Sequence, residues 1–212
     1  YGVEFEGERA AVQATWRAAW GEDGFDARWE AALDALGLPG SLRGLHALWP
    51  GQRTVGPAFT VAYESVDADG GTVGDFLDDV PAGAVVVIDN AARTNCTVWG
   101  GIMSRIARRQ GVAGTVINGT CRDTAIAAQV GYPLWSVSRF MRTGKDRVRI
   151  KDIQRPVVID GVTIEPGDLI VADDDGAVAV PAHRWDEVRR RALVRLDVRG
   201  ALSSGFLNVV LV

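Results

Sequence analysis

The sequence predicts a mixed α/β domain, and three observations carry that expectation. Between residues 84 and 138, short apolar runs alternate with helical stretches, the pattern of parallel strands joined by right-handed crossovers. From residue 147 onward, short strands follow one another through Asp-Gly turns, which is antiparallel hairpin chemistry. Ahead of both lies a stretch rich in Trp, Ala, Glu and Arg with helical spacing.

In chain order, residues 4–36 place Trp16, Trp20, Trp29, Leu33 and Leu36 at spacings of three, four and nine. Gly-Glu-Asp-Gly at 21–24 divides this stretch into two helices, and Gly37–Gly40 ends the second. Three tryptophans on short helices need a surface: the main body, another subunit, or the wall of a ligand pocket. RTVGPAFTVAYES (53–65) alternates and reads as a strand, with Val55, Phe59 and Val61 facing inward. VGDFLDDV (73–80) reads as a short helix closed by Pro81-Ala82-Gly83. AVVVID (84–89) is apolar throughout, as expected of a strand buried on both faces.

NAARTNCTVWGG (90–101), small and polar, reads as a loop. IMSRIARRQG reads as an amphipathic helix with Ile102, Met103, Ile106 and Ala107 on one face, Arg105, Arg108 and Arg109 on the other, and Gly111 as its cap. GVAGTVIN (111–118) is the next buried strand, followed by a Gly119–Asp123 turn and a short helix, and YPLWSVS (132–138) is a third strand. The hairpin region turns at Asp160-Gly161 and Asp175-Gly176. A closing helix over 185–200 carries Trp185, Val188, Leu193 and Leu196 as its stripe. The apolar tail SSGFLNVVLV would add a strand or dock on a neighbouring subunit.

Composition narrows the function. Among 212 residues, 23 basic and 27 acidic side chains leave a net charge of -4, which gives no electrostatic case for nucleic acid. No apolar run is long enough to span a bilayer and no signal peptide is evident, so a cytoplasmic protein is expected. Cys96 and Cys121 are neither a disulfide framework nor, with His46 and His183, a zinc pattern.

Ligands of open parallel sheets collect where strand C-termini meet helix N-termini. AVVVID leads through Trp99-Gly100-Gly101 into a helix, and GTVIN leads to Arg122-Asp123, so both loops leave at one sheet edge. Backbone N–H groups at the Gly-rich helix start would hold a small anion such as a carboxylate. Arg122 would add a bidentate contact to that carboxylate, and Asp123 would hold a divalent cation. Each residue also has a plainer reading. Asp123 equally reads as an N-cap, Arg122 as a surface arginine, and Gly100-Gly101 as a tight turn. Cys121 beside Arg122 would have a lowered thiol pKa. Asp173-Asp174-Asp175 resembles a metal site but reads as a hairpin turn, and Arg189-Arg190-Arg191 as a solvated helix face.

WGGIMSRIARRQGVAGTVINGTCRDTAIAAQVGYPLW, PVVIDGVTIEPGDLIVADDDGAVAVP and LWPGQRTVGPAFTV together resemble the family of the regulator of ribonuclease E activity A, over about residues 30–200. Enzymatic members of that family are 4-hydroxy-4-methyl-2-oxoglutarate and 4-carboxy-4-hydroxy-2-oxoadipate aldolases. The resemblance implies a swivelling β/β/α domain, a central parallel or mixed sheet packed on an antiparallel one. Residues 1–40 would form an N-terminal helical extension and 41–212 a single globular unit. It further implies a homotrimer or hexamer with sites between subunits, acting on a small oxo acid and on neither nucleic acid nor membrane. By resemblance, the amides of Gly100, Gly101, Ile102 and Met103 hold the substrate carboxylate, Arg122 binds substrate, and Asp123 binds magnesium or manganese. The implied activity is metal-dependent cleavage of a 4-hydroxy-2-oxo acid to pyruvate, with Arg122 and Asp123 catalytic and oxaloacetate decarboxylation as a second reaction. Altered chemistry on another oxo acid and non-catalytic regulation by protein contact are the alternatives. Two positions depart from the aldolases: Gly101 stands where many members carry Asp or Glu, and Ala201 follows Gly200 where Glu is usual.

Overall fold

The computed structural model of the chain describes residues 25–66 and 71–192. The four central strands are β2 (Thr54–Ser65), β3 (Val85–Trp99), β4 (Gly114–Cys121) and β5 (Leu134–Arg139). Each is parallel to the next, and for β3, β4 and β5 this is what the alternation of apolar runs and helices predicts. Antiparallel strands extend this sheet at both ends. β1 (His46–Ala47) pairs with β5, and β6 (Val148–Ile153) pairs with the C-terminal half of β2. β9 (Leu169–Ala172) pairs with the N-terminal half of β2, and β10 (Ala177–Val180) pairs with β9.

The two ends of the sheet then approach each other. Leu42 N–H donates to Ala177 O at 2.9 Å and Ala179 N–H to Gly40 O at 2.8 Å, so the segment entering β1 also pairs with β10. The antiparallel strands therefore continue the parallel sheet around a nearly closed barrel. Among the described residues, only the hairpin of β7 (Val157–Ile159) and β8 (Val162–Ile164) forms a separate sheet. Its two-residue turn holds Asp160 at φ 49° and Gly161 at φ 79°, the pair of positive angles that an Asp-Gly turn of this type requires.

Two cores explain why the central strands are apolar without interruption. Val85 and Val87 of β3, Val116 of β4 and Trp135 of β5 pack with Ile159 and Ile164 from the β7–β8 hairpin. Val86, Ile88, Ile117 and Leu134 face the opposite way, toward α2 (Gly101–Gln110) and α3 (Thr124–Gln129). Successive side chains of one strand enter different cores, so neither face can be polar. A third cluster joins α1 (Phe25–Ala35) to β10 and to the helix over 185–192, α4. Trp29 stacks on Trp185 with ring centroids 5.2 Å apart, so this tryptophan packs on the main body. The expectations for Trp16, Trp20, the first N-terminal helix, the end of α4 and the tail lie outside the described residues.

Three local expectations change. Residues 90–99 are not a loop, because β3 runs to Trp99. Its register against β4 shifts after Asp89, after Arg93 and after Thr97, and Ala91 and Ala92 take positive φ angles of 49° and 53°. Bulges absorb the extra residues, and bulge composition resembles loop composition. Residues 73–80 give only one short turn of helix, Leu77–Asp79, in which Leu77 is buried beside Phe76. The buried face of α2 is Gly101, Met103, Ser104 and Ala107, whereas Ile102 is 77% exposed. Small residues let the helix approach the sheet closely, and Ser104 is satisfied there by Trp99 Nε1 at 3.0 Å. Ser104→Ala leaves that indole N–H buried without an acceptor. It is expected to cost about 1–3 kcal/mol in a denaturant titration.

Burial also sets an alkaline limit. Tyr63 donates to Val73 O at 2.6 Å, and Tyr132 Oη lies 2.7 Å from Thr115 Oγ1. Burial raises both phenols above the ordinary tyrosine range. The unfolded chain ionises them near pH ~10. Their contribution to stability is therefore complete below that pH and is lost as pH rises through and beyond it. Thermal melts are expected to be flat on this account up to about pH 9 and to fall above it.

Candidate active site

β3 and β4 deliver their ends to the same edge of the sheet. After Trp99, Gly100 takes an extended conformation (φ -149°, ψ -174°) and α2 begins. After Cys121, Asp123 occupies the left-handed region (φ 57°, ψ 35°) and α3 begins. The two loops are joined directly, because Arg122 N–H donates to Trp99 O at 3.0 Å.

The side chains converge as well. Asp123 Oδ2 accepts the Gly101 N–H at 3.0 Å, and Arg122 Nε lies 3.6 Å from the same oxygen. Arg122 Nη1 donates to Met141 O at 3.3 Å, and Phe140 N–H donates to Cys121 O at 3.0 Å. The exit of β5 thus forms a third wall. Asp123 stands at the N-cap position of α3, yet its side chain makes no cap there and serves the N-terminus of α2 instead. Among the described residues, the N–H groups of Ile102 and Met103 find no acceptor. They remain available to an anion, as the first turn of a helix requires.

The glycines are needed for space. A Cβ on Gly100 would lie 3.2 Å from Asp123 Oδ2 and 3.3 Å from Arg122 Nε. A Cβ on Gly101 would lie 2.8 Å from Ile126 Cδ1 and 3.1 Å from Asp123 Cβ. Gly100-Gly101 is therefore a close approach between two loops and more than a tight turn.

The Arg122 and Asp123 side chains are 41% and 43% exposed, so water screens their attraction and the pair adds little to stability. Both stay accessible to a ligand. Exposed apolar side chains stand beside them: Ile102, and Met141 at 82% exposure. Sequence reasoning missed Met141 and Ile126. The only sequence signals were their places just after β5 and in the first turn of α3.

Among the described residues there is no cluster of three or more His, Cys, Asp or Glu side chains that could hold an ion. Asp123 Oδ1 has no partner among the described residues, however, while Oδ2 is held by Gly101. One open carboxylate oxygen fits a magnesium-type ion, which keeps several waters and takes further oxygens from substrate.

Other candidates resolve differently. Cys121 is buried against Ser136, and burial pushes its thiol up to about 11, opposite to the expected lowering. The guanidinium that acts on this sulfur is that of Arg139 and not of Arg122, and its lowering effect is outweighed by burial, because the strand directs the sulfur into the core. Iodoacetamide at pH 8 is expected to leave Cys121 unmodified in the folded chain, as read by intact mass. Asp173-Asp174-Asp175 is the β9–β10 turn, where Asp174 accepts the Gly51 N–H at 2.7 Å and Asp173 Oδ1 accepts the Asp175 N–H at 2.9 Å. His46 lies on β1 and His183 in the turn Ala182–Arg184, neither of them at this edge. A groove of about 410 Å³ runs along residues 41–46 and 175–178. Its Ser41 is bonded to Glu30 and its Arg43 to Asp160, so its polar groups are mostly engaged.

A family model described as RraA-like, Aldolase/RraA, matches residues 30–179. "Protein DlpA" of Legionella pneumophila subsp. pneumophila is 37% identical over 181 residues, which is 82% of this chain and 29% of DlpA. The chain thus spans less than a third of that relative's length. A protein of Halalkalibacterium halodurans named "Putative 4-hydroxy-4-methyl-2-oxoglutarate aldolase" is 32% identical over 162 residues, covering 75% of each chain. The crystal structure of Streptomyces coelicolor RraAS2, described as an unusual member of the RNase ES inhibitor RraA protein family, matches with a TM-score of 0.74 at 30% identity. The match covers 83% of this chain and 90% of that one.

Proposed function

The chain belongs to the RraA-like family, Aldolase/RraA, and on that premise we propose that it is a lyase. It cleaves a carbon–carbon bond in a small 4-hydroxy-2-oxo acid and releases pyruvate. The observation that carries this reading is the meeting of Arg122, Asp123 and the start of α2 at one sheet edge. Aldolase-named relatives support the reaction class.

In this reading, the Ile102 and Met103 amides hold the substrate carboxylate, with Arg122 beside it. Asp123 would hold a magnesium or manganese ion through Oδ1. When bound, the ion supplies Lewis-acid polarisation of the keto group. Cleavage breaks the bond between C3 and C4 and runs its electron pair into the keto group. The C4 hydroxyl gives its proton to water at the open edge and becomes a carbonyl, and the resulting enolate takes up a proton at C3 to leave as pyruvate. Arg122 meets the negative charge that builds on the keto oxygen, a charge larger in the transition state than in bound substrate. Oxaloacetate decarboxylation gives the same pyruvate enolate with carbon dioxide as the departing group.

A homotrimer, or a pair of trimers, is part of the proposal. A neighbouring copy would then cover Ile102 and Met141. A cytoplasmic location also belongs to it; among the described residues no helix is long and apolar enough to cross a membrane.

The test is pyruvate release from a panel of 4-hydroxy-2-oxo acids and oxaloacetate, with magnesium or manganese. Turnover that depends on metal and disappears in Asp123→Ala, with the circular dichroism spectrum retained, is expected. Equal rates in the native chain and the variant would overturn the reading. A second reading, non-catalytic contact with a protein partner, is favoured by the exposed Ile102 and Met141 and by the inhibitor description of RraAS2. It predicts no turnover with any substrate, and partner binding that is lost in Ile102→Asp.

A further inference from the structure

We infer that Gly101 and Ile126 are positioning residues, a size-matched pair that fixes the direction of the Asp123 carboxylate. The inference rests on the reading of Asp123 as the carboxylate that faces the ligand. Neither residue of the pair touches substrate chemistry through its own side chain; both act through Asp123.

Asp123 is held in a backbone conformation that side-chain-bearing residues seldom adopt, φ 57°. Such conformations persist only where the surroundings over-determine them. Two contacts do so here. The Gly101 N–H holds Oδ2 at 3.0 Å from one side. Ile126, three residues along α3 and hence on the same helix face as Asp123, fills the space where residue 101 would carry a side chain. Its Cδ1 and Cβ lie 2.8 and 3.2 Å from the position of a Cβ on Gly101, and Asp123 Cβ lies 3.1 Å from it. Ile126 and Ala127 donate their N–H groups to Asp123 O at 2.9 and 3.2 Å, so α3 and Asp123 move as one piece.

Residue 101 is therefore glycine for volume, since no left-handed angle is required of it. A methyl group there meets three atoms. The contact with Ile126 Cδ1 relaxes by rotation of the isoleucine. The contacts with the two Cβ atoms are fixed by the backbone, so α3 has to withdraw from α2. Withdrawal lengthens the Gly101–Asp123 hydrogen bond and frees Oδ2 to swing. In the native chain Oδ2 is tied by the Gly101 N–H, which leaves Oδ1 as the oxygen that would meet a cation.

The experiment compares Gly101→Ala, Ile126→Ala and the double variant, each with and without Asp123→Ala. Two quantities are read. The first is the amide proton shift of residue 101 by NMR without metal. The second is Mn²⁺ affinity by electron paramagnetic resonance. In the native background, Asp123→Ala is expected to move the residue-101 amide proton upfield, and in the Gly101→Ala background that move shrinks. Gly101→Ala is expected to weaken Mn²⁺ about 10-fold or more, as loss of an outer partner of a metal ligand does. The double variant is expected to regain none of that loss, because alanine at 126 keeps the Cβ that, with the Asp123 Cβ, drives α3 away. Should Gly101→Ala fold poorly, Ile126→Ala reads the same displacement through the void it leaves beside Asp123. An amide shift indifferent to Asp123→Ala in the native chain overturns the inference. So does Mn²⁺ affinity unchanged in both single variants. A native chain that binds no Mn²⁺ would refute the metal-dependent lyase, and the amide shift would still decide the role of the pair.

Discussion

Arg122→Ala is expected to lower kcat/KM for pyruvate release by about 10²–10³-fold, the usual effect of removing one donor that faces a developing oxyanion. The melting temperature is expected to stay within about 2 °C of the native value. The two halves of this prediction have one cause. Arg122 is 41% exposed, and its partners are a screened carboxylate at 3.6 Å and one backbone carbonyl, so folding gains little from it. In the proposed reaction its use is at the open edge of the sheet, where a keto acid would bring charge. Arg122→Lys is expected to recover only part of the loss. The native fork uses Nε toward Asp123 and Nη1 toward Met141 O, and a single ammonium cannot hold both directions. A steady-state comparison of the three proteins with a common metal concentration checks this.

Trp99→Ala is expected to destabilise the fold by about 3–5 kcal/mol, the range for truncating a large buried aromatic. For a chain of this size the melting temperature should fall by about 10 °C. Trp99 is buried, stacks on Tyr132 at 5.7 Å with an interplanar angle of 8°, and donates Nε1 to Ser104. Truncation removes the stacked area and opens a cavity, and it leaves Ser104 Oγ only its bond to Gly100 O. The same residue is the last of β3 and immediately precedes Gly100, so the start of α2 should also loosen. Trp99→Ala is therefore expected to weaken oxo-acid binding even at a temperature where the variant is folded. Trp99→Phe keeps most of the stacking and is expected to lose less stability.

The strand order at the heart of the fold was legible because two-sided burial leaves a plain mark. AVVVID and GTVIN have no polar alternation, since Val85 and Val86 enter different cores. The Asp160-Gly161 and Asp175-Gly176 turns were legible because positive φ angles restrict residue choice. The meeting of residues 100–103 with 122–123 followed from the shared edge of parallel strands. Other features depended on partners that the local sequence does not contain. Whether residues 90–99 form a loop or a bulged strand is decided by β4, which supplies the register. Whether Ile102 or Ser104 faces inward is decided by how closely α2 approaches Trp99. Closure of the sheet depends on residues 40–42 meeting β10, far along the chain. The role of Asp123 as a cap for α2 was hidden for the same reason. An Asp before a helix reads as the cap of that helix, and only the packed structure turns it toward another.

The central claim is that a small oxo acid sits where the start of α2 meets Arg122 and Asp123. A crystal structure of the chain grown with manganese and pyruvate tests it most directly. The expected result is the pyruvate carboxylate on the Ile102 and Met103 N–H groups, the Arg122 guanidinium against its oxygens, and manganese on Asp123 Oδ1. Pyruvate bound in the groove along residues 41–46 instead, with Arg122 and Asp123 still facing only each other, would contradict it.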